Sequence, residues 1–95
     1  MPTTMNRVVL SNTTGAYAAI GTQTGRCTVT LINQGGYGTR IAGHFDTVPA
    51  SNSTVYALIP NSTAANYTFD CIPAKTWAIL DSATGGAYLE TIISW

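Results

Sequence analysis

Short runs in which apolar and polar residues alternate with a period of two fill this chain, and a turn-forming cluster interrupts them every roughly 8–12 residues. The clearest run is Cys27–Ile32, with Cys27, Val29 and Leu31 on one side and Thr28, Thr30 and Ile32 on the other. Successive side chains of a strand point to opposite faces, so such a run predicts a half-buried β-strand. Tyr67, Phe69 and Cys71 alternate in the same way against Asn66, Thr68 and Asp70. The Ala-rich pieces are broken by Gly or β-branched residues, and no helix of about ten residues fits.

These patterns place strands over residues 6–10, 17–20, 27–32, 39–45, 55–59, 65–71, 75–80 and 87–95. The fold class is therefore all-β. The architecture expected is a small two-sheet β-sandwich, jelly-roll-like, of about eight short antiparallel strands, with an open barrel or a seven-stranded sandwich as alternatives. Asn33-Gln34-Gly35-Gly36-Tyr37-Gly38 is the strongest turn signal, and it predicts a hairpin between the strands on either side. The segment from Asp46 to Thr54, with Pro49 and Ser51-Asn52-Ser53, reads as a connection that crosses from one sheet to the other. Residues 1–95 read as a single sandwich domain with a short N-terminal arm over residues 1–5.

Charge narrows the function classes. Arg7, Arg26, Arg40 and Lys75 balance Asp46, Asp70, Asp81 and Glu90, and charged residues are 8% of the chain against a typical ~25%. Phosphate binding relies on clustered Lys and Arg, so nucleic acid is not an expected partner. A free soluble protein normally carries a well-charged surface, whereas the centre of an interface is depleted in charge, and this composition points to life in an assembly. No run approaches the ~18 apolar residues of a membrane helix, and the N-terminus has no apolar signal core, so synthesis in a cytosol and no membrane partner are expected.

The residues of chemistry are sparse. The acids sit mainly beside turns, where solvated carboxylates are expected rather than a catalytic pair. His44, between Gly43 and Phe45, is the one histidine and is expected on the fourth strand, facing solvent or a subunit contact. A dyad of His44 with Cys27 or Cys71 lacks a nucleophile elbow or an oxyanion motif. Two cysteines are too few for a structural zinc site and lack the C-x-x-C spacing, so two buried thiols on neighbouring strands are expected, with a disulfide open to them if they face each other. No enzymatic activity, cofactor or metal is expected. The Asn-x-Ser/Thr triplets at Asn12, Asn52, Asn61 and Asn66 are read as chance in a chain this rich in Asn, Ser and Thr.

Interface candidates come from exposed aromatic and flexible apolar side chains. Tyr37 sits in the Gly-rich turn, and either covers its own hairpin or meets a sugar ring or a protein. Trp95, the last residue, either closes one end of the sandwich or packs on a neighbouring subunit. Met1 and Met5 of the N-terminal arm lie across a partner in this reading, and His44 completes the set. Trp77, in an apolar strand, is expected in the core.

The order of parts resembles the small β-sandwich virion proteins of tailed bacteriophages. The resemblance rests on Thr28-Val29-Thr30-Leu31-Ile32-Asn33-Gln34-Gly35, then Pro49-Ala50-Ser51-Asn52, then Leu58-Ile59-Pro60, then Trp77-Ala78-Ile79 and Gly85-Gly86. It covers most of the chain as a pattern rather than as one diagnostic motif. It implies a capsid decoration or cement protein: a homotrimer on the capsid surface of the virion, made in the bacterial host cytoplasm, that binds the phage major capsid protein and stabilises the head. The extended N-terminal arm of some such proteins has no counterpart here. A fibre- or tail-associated module that binds a glycan or receptor is the alternative.

Overall fold

The period-two runs do form strands, and their apolar sides meet between two four-stranded sheets. The computed structural model describes residues 2–33, 38–60, 65–82 and 87–95. In chain order the strands are β1 (Thr3–Leu10), β2 (Ala18–Ala19), β3 (Cys27–Asn33), β4 (Thr39–Gly43), β5 (Ala57–Ile59), β6 (Ala65–Cys71), β7 (Thr76–Leu80) and β8 (Ala87–Ser94), with a single 3-10 turn at Pro73–Lys75. One sheet has the order β1-β8-β3-β6 and the other β2-β7-β4-β5. Every pairing is antiparallel.

This is the strand order of a jelly roll, a long two-stranded ribbon rolled up on itself. The ribbon pairs β1 with β8, β2 with β7, β3 with β6 and β4 with β5, each pair enclosing the next. Two further pairings, β3 with β8 and β4 with β7, join the rolled ribbon into sheets. Full two-sheet closure is one way to limit exposed edges in an all-β fold.

The core follows from the alternation. Val8, Leu10, Val29, Leu31, Leu89 and Ile93 from one sheet pack against Ile20, Ile59, Ala78 and Leu80 from the other side of the sandwich, and all are buried. Three polar side chains in or beside this core donate to backbone carbonyls, as buried groups usually do. Thr76 Oγ1 donates to the Ile72 carbonyl at 2.9 Å, Thr91 Oγ1 to the Asn6 carbonyl at 3.3 Å, and Asn33 Nδ2 to the Pro60 carbonyl at 3.1 Å.

Three expectations are corrected. β3 and β4 are not a hairpin, for they lie in different sheets, and the chain crosses the sandwich between them. Conversely, the segment after β4 does not cross: β4 and β5 are neighbours in one sheet, with Thr39 opposite Ile59 and Ile41 opposite Ala57. The physical reason is that a turn signal marks where a chain reverses, while the burial of both apolar faces decides which strand it reverses onto. Finally, His44 is not in a strand. β4 stops at Gly43, and His44 adopts φ 64°, the left-handed region that ends strand geometry. The N-terminal boundary also shifts: β1 begins at Thr3 and pairs with β8 along its whole length, from Thr3 opposite Ser94 to Leu10 opposite Ala87.

Candidate functional site

The two outer faces of the sandwich differ in what covers them. On the β2-β7-β4-β5 sheet, Trp77 and Ile79 of β7 and Ala42 of β4 point away from the main core and form a second apolar cluster with Tyr17 and Phe45, while Leu58 of β5, opposite Arg40, also points outward and is exposed. Ile79 is 0% exposed there. The segment that runs from β4 to β5 supplies the cover: the Trp77 indole N–H donates to the Phe45 carbonyl at 3.1 Å, and the Arg40 guanidinium lies 4.6 Å from the Tyr56 ring centre. Arg40 also pairs with Asp81 at 2.5 Å, which holds its guanidinium above the ordinary range. The Tyr17 hydroxyl is buried in this layer, and burial pushes its pKa up against the opposing pull of Arg40.

The outer face of the β1-β8-β3-β6 sheet has no such cover among the described residues. Met5 and Val9 of β1 and Tyr88 of β8 are exposed at 71%, 67% and 53%, and Ile92 and Ile32 are half-buried beside them. The register sets Val9 opposite Tyr88 and Met5 opposite Ile92, with Arg7, Glu90 and Ile32 in the row between them.

Polar groups on this face are spent on one another. Arg7 Nε meets Glu90 Oε1 at 2.6 Å, and its guanidinium stacks 4.7 Å from the Tyr88 ring centre. Across the next pair of strands, Thr28 Oγ1 donates to Asp70 at 2.9 Å, and the hydroxyls of Thr30 and Thr68 are 3.0 Å apart. Thr3 and Ser94 meet at 3.2 Å. Such cross-strand pairs fix side chains sideways along the sheet. The exposed apolar carbon of Met5, Val9 and Tyr88 is thus flanked by exposed polar groups several of which already hydrogen-bond to one another, which lowers the cost of covering them. Exposed large apolar side chains grouped on one face of a folded domain are a feature of interaction surfaces.

Of the five interface candidates read from sequence, Met5 lies in this face. Trp95 follows β8 at its end; it is 47% exposed, and its backbone N–H donates to the Pro2 carbonyl at 3.1 Å. His44 is exposed but sits on the other sheet's side, so the structure does not bring it to Met5. Met1 and Tyr37 lie outside the described residues. Val9, Tyr88 and Ile92 were missed by sequence reasoning; the signal was the parity of β8, where Leu89, Thr91 and Ile93 turn inward and Tyr88, Glu90 and Ile92 outward. Trp77 belongs to the second cluster rather than to the space between the sheets.

Each acid has a polar partner, Asp46 with Lys75 at 2.8 Å, Asp81 with Arg40, Glu90 with Arg7, and Asp70 with Thr28, and Asp46 and Asp70 are solvent-exposed as expected of acids near turns. Among the described residues, no group of three or more His, Cys, Asp or Glu is placed to hold a metal ion. Among the described residues, no helix is long and apolar enough to cross a membrane. Cys27 and Cys71 are both buried and sit on neighbouring strands, as expected. No family model, curated protein or solved structure matches the chain.

Proposed function

We propose that this chain is a non-enzymatic structural protein that docks through the outer face of its β1-β8-β3-β6 sheet. The contrast between the two outer faces carries the reading. On one, the connection from β4 to β5 covers the β7 and β4 row while leaving Val48 and Val55, with Leu58 of β5, exposed, and the other presents Met5, Val9, Tyr88 and Ile92 on two directly paired strands around the Arg7–Glu90 pair. The partner that fits the resemblance described above is the major capsid protein of a tailed phage. In that setting the chain acts as a decoration or cement protein on the capsid surface, assembled as a homotrimer. A jelly roll is an architecture that recurs in viral capsid and lectin domains, so the fold suits both this reading and the glycan-binding alternative, and the apolar character of the bare face favours protein.

The test is co-sedimentation of the purified protein with capsids that lack it, using wild type and the double variant Met5→Glu/Tyr88→Ser. An aromatic anchor at an interface centre contributes about 2 kcal/mol or more, so the variant is expected to bind at least about tenfold more weakly while unfolding at the wild-type temperature. Equal binding by both proteins overturns the assignment of the face. Absence of capsid binding together with specific glycan binding replaces the cement reading by the alternative.

A further inference from the structure

Cys27 opens β3, Cys71 closes β6, and the strand register sets the two directly opposite each other. Both belong to the inward-facing set of their strands and are buried as free thiols. Directly opposed residues of an antiparallel pair have Cα atoms about 4.5 or 5.5 Å apart, within the roughly 4.4–6.8 Å that a disulfide spans. The pair is also the terminal rung of the β3–β6 ladder, so the small closure needed to bring the sulfurs together bends strand ends and not the middle of a sheet.

One thiol has a way in. Cys27 lines an open depression of about 290 Å³ together with Gln23, Thr24, Gly25, Arg26 and Trp95. Arg26 is exposed, and among the described residues it has no ion-pair partner, unlike Arg7, Arg40 and Lys75. Burial pushes the Cys71 thiol up, a hydrogen bond with Thr76 opposes that push, and the Arg26 charge adds a smaller pull in the same direction.

We propose that Cys27 and Cys71 form a reversible intrachain disulfide, with Cys27 the entry thiol and a small anionic disulfide such as oxidised glutathione the oxidant. The Cys27 thiolate attacks one sulfur of the oxidant, giving a mixed disulfide and releasing one glutathione thiolate. Cys71 then loses its proton to solvent, and its thiolate attacks the Cys27 sulfur and expels the second glutathione thiolate. Two protein thiols are oxidised and one small disulfide is reduced. The bond closes the loop from residue 27 to residue 71, which contains β3, β4, β5 and β6, the inner half of the rolled ribbon. It also ties the edge strand β6 to its one neighbour.

The experiment incubates the folded protein with oxidised glutathione and measures intact mass, tryptic peptides and thermal unfolding. The expected product has lost two hydrogens, and trypsin, which cuts after Arg26, Arg40 and Lys75, releases peptides 27–40 and 41–75 joined until reductant is added. A closed loop of this length is expected to raise the unfolding temperature by on the order of 20 °C. Cys71→Ala is expected to stop at the glutathione adduct on Cys27, and Cys27→Ala to remain unmodified. Two free thiols surviving in the folded protein while they oxidise readily in denaturant would overturn the proposal, as would a bond found only between chains or a fall in unfolding temperature on oxidation.

Discussion

Replacing Ile79 by Ala tests whether the outer layer over the β2-β7-β4-β5 sheet is a true second core. Ile79 points away from the space between the sheets, because its neighbours Ala78 and Leu80 belong to the main cluster and Ile79 to the second. Were that face solvated, the substitution would be nearly silent, as surface changes usually are within about 0.5 kcal/mol. The side chain is instead 0% exposed. Ile→Ala removes three carbon groups at about 0.8 kcal/mol each, or about 2.4 kcal/mol of transfer free energy. The sheet beneath and the Trp77–Phe45 hydrogen bond above limit collapse into the gap, and the residual cavity brings the cost to about 3–4 kcal/mol. With an unfolding entropy near 0.2 kcal/mol/K for a chain of this length, the unfolding temperature falls by about 15–20 °C. Val9→Ala is the control: Val9 has the same outward parity on the bare sheet and is 67% exposed. Urea titrations followed by circular dichroism measure both. If Ile79→Ala comes within about 0.5 kcal/mol of Val9→Ala, the contrast between the faces is wrong.

Two further outcomes follow from close contacts and charge. A Cβ at Gly21 would lie 2.7 Å from Ile93 Cδ1 and 2.8 Å from both Gln23 Oε1 and Pro73 Cβ, so Gly21→Ala is expected to cost about 1–3 kcal/mol in urea unfolding; a neutral result would mean that this corner repacks freely. The Lys75 ammonium, by its hydrogen bond and then by its charge, holds the Asp46 carboxyl below the usual range. A lowered folded-state pKa stabilises above the unfolded carboxylate range, and that stabilisation is lost as pH falls through the folded value. Lys75→Met is therefore expected to flatten the acid arm of unfolding temperature against pH below about pH 4, by a small amount because Asp46 is fully solvated; an unchanged arm rules out the pair as a contributor.

The strands were legible because each carries its own evidence. Cys27–Asn33 and Ala65–Cys71 announce a period of two within seven residues, and no distant information is needed to see it. The partners of those strands were not legible. β3 pairs with β6 and β8, a choice made by burying both sheets at once, and the Gly-rich turn after Asn33 says nothing about it. The same gap hid the role of the segment after β4. Its Pro and Ser-Asn-Ser marked an irregular stretch, but that Phe45 at its start packs on the cluster of Trp77 and Ile79 depends on an outward-facing apolar row found only once β7 has its place. For the interaction face, Met5 was readable as a large apolar side chain in a polar stretch. Tyr88 and Val9 were not, because alternation separates two sides of a strand without saying which of them meets the other sheet.

The nesting of the ribbon governs how the chain can reach this structure. Only β4 and β5 join residues close in sequence, Ile41 with Ala57, whereas β1 and β8 join Thr3 with Ser94. If the innermost pair closes first, each later pair adds only a short loop to one already shut, and the entropic penalty of each closure stays small. A start from the outermost pair would have to trap nearly the whole chain in a single step. Assembly from the centre toward the ends is thus the low-barrier order, and with so many distant pairings it belongs among the slow, millisecond-to-second folders.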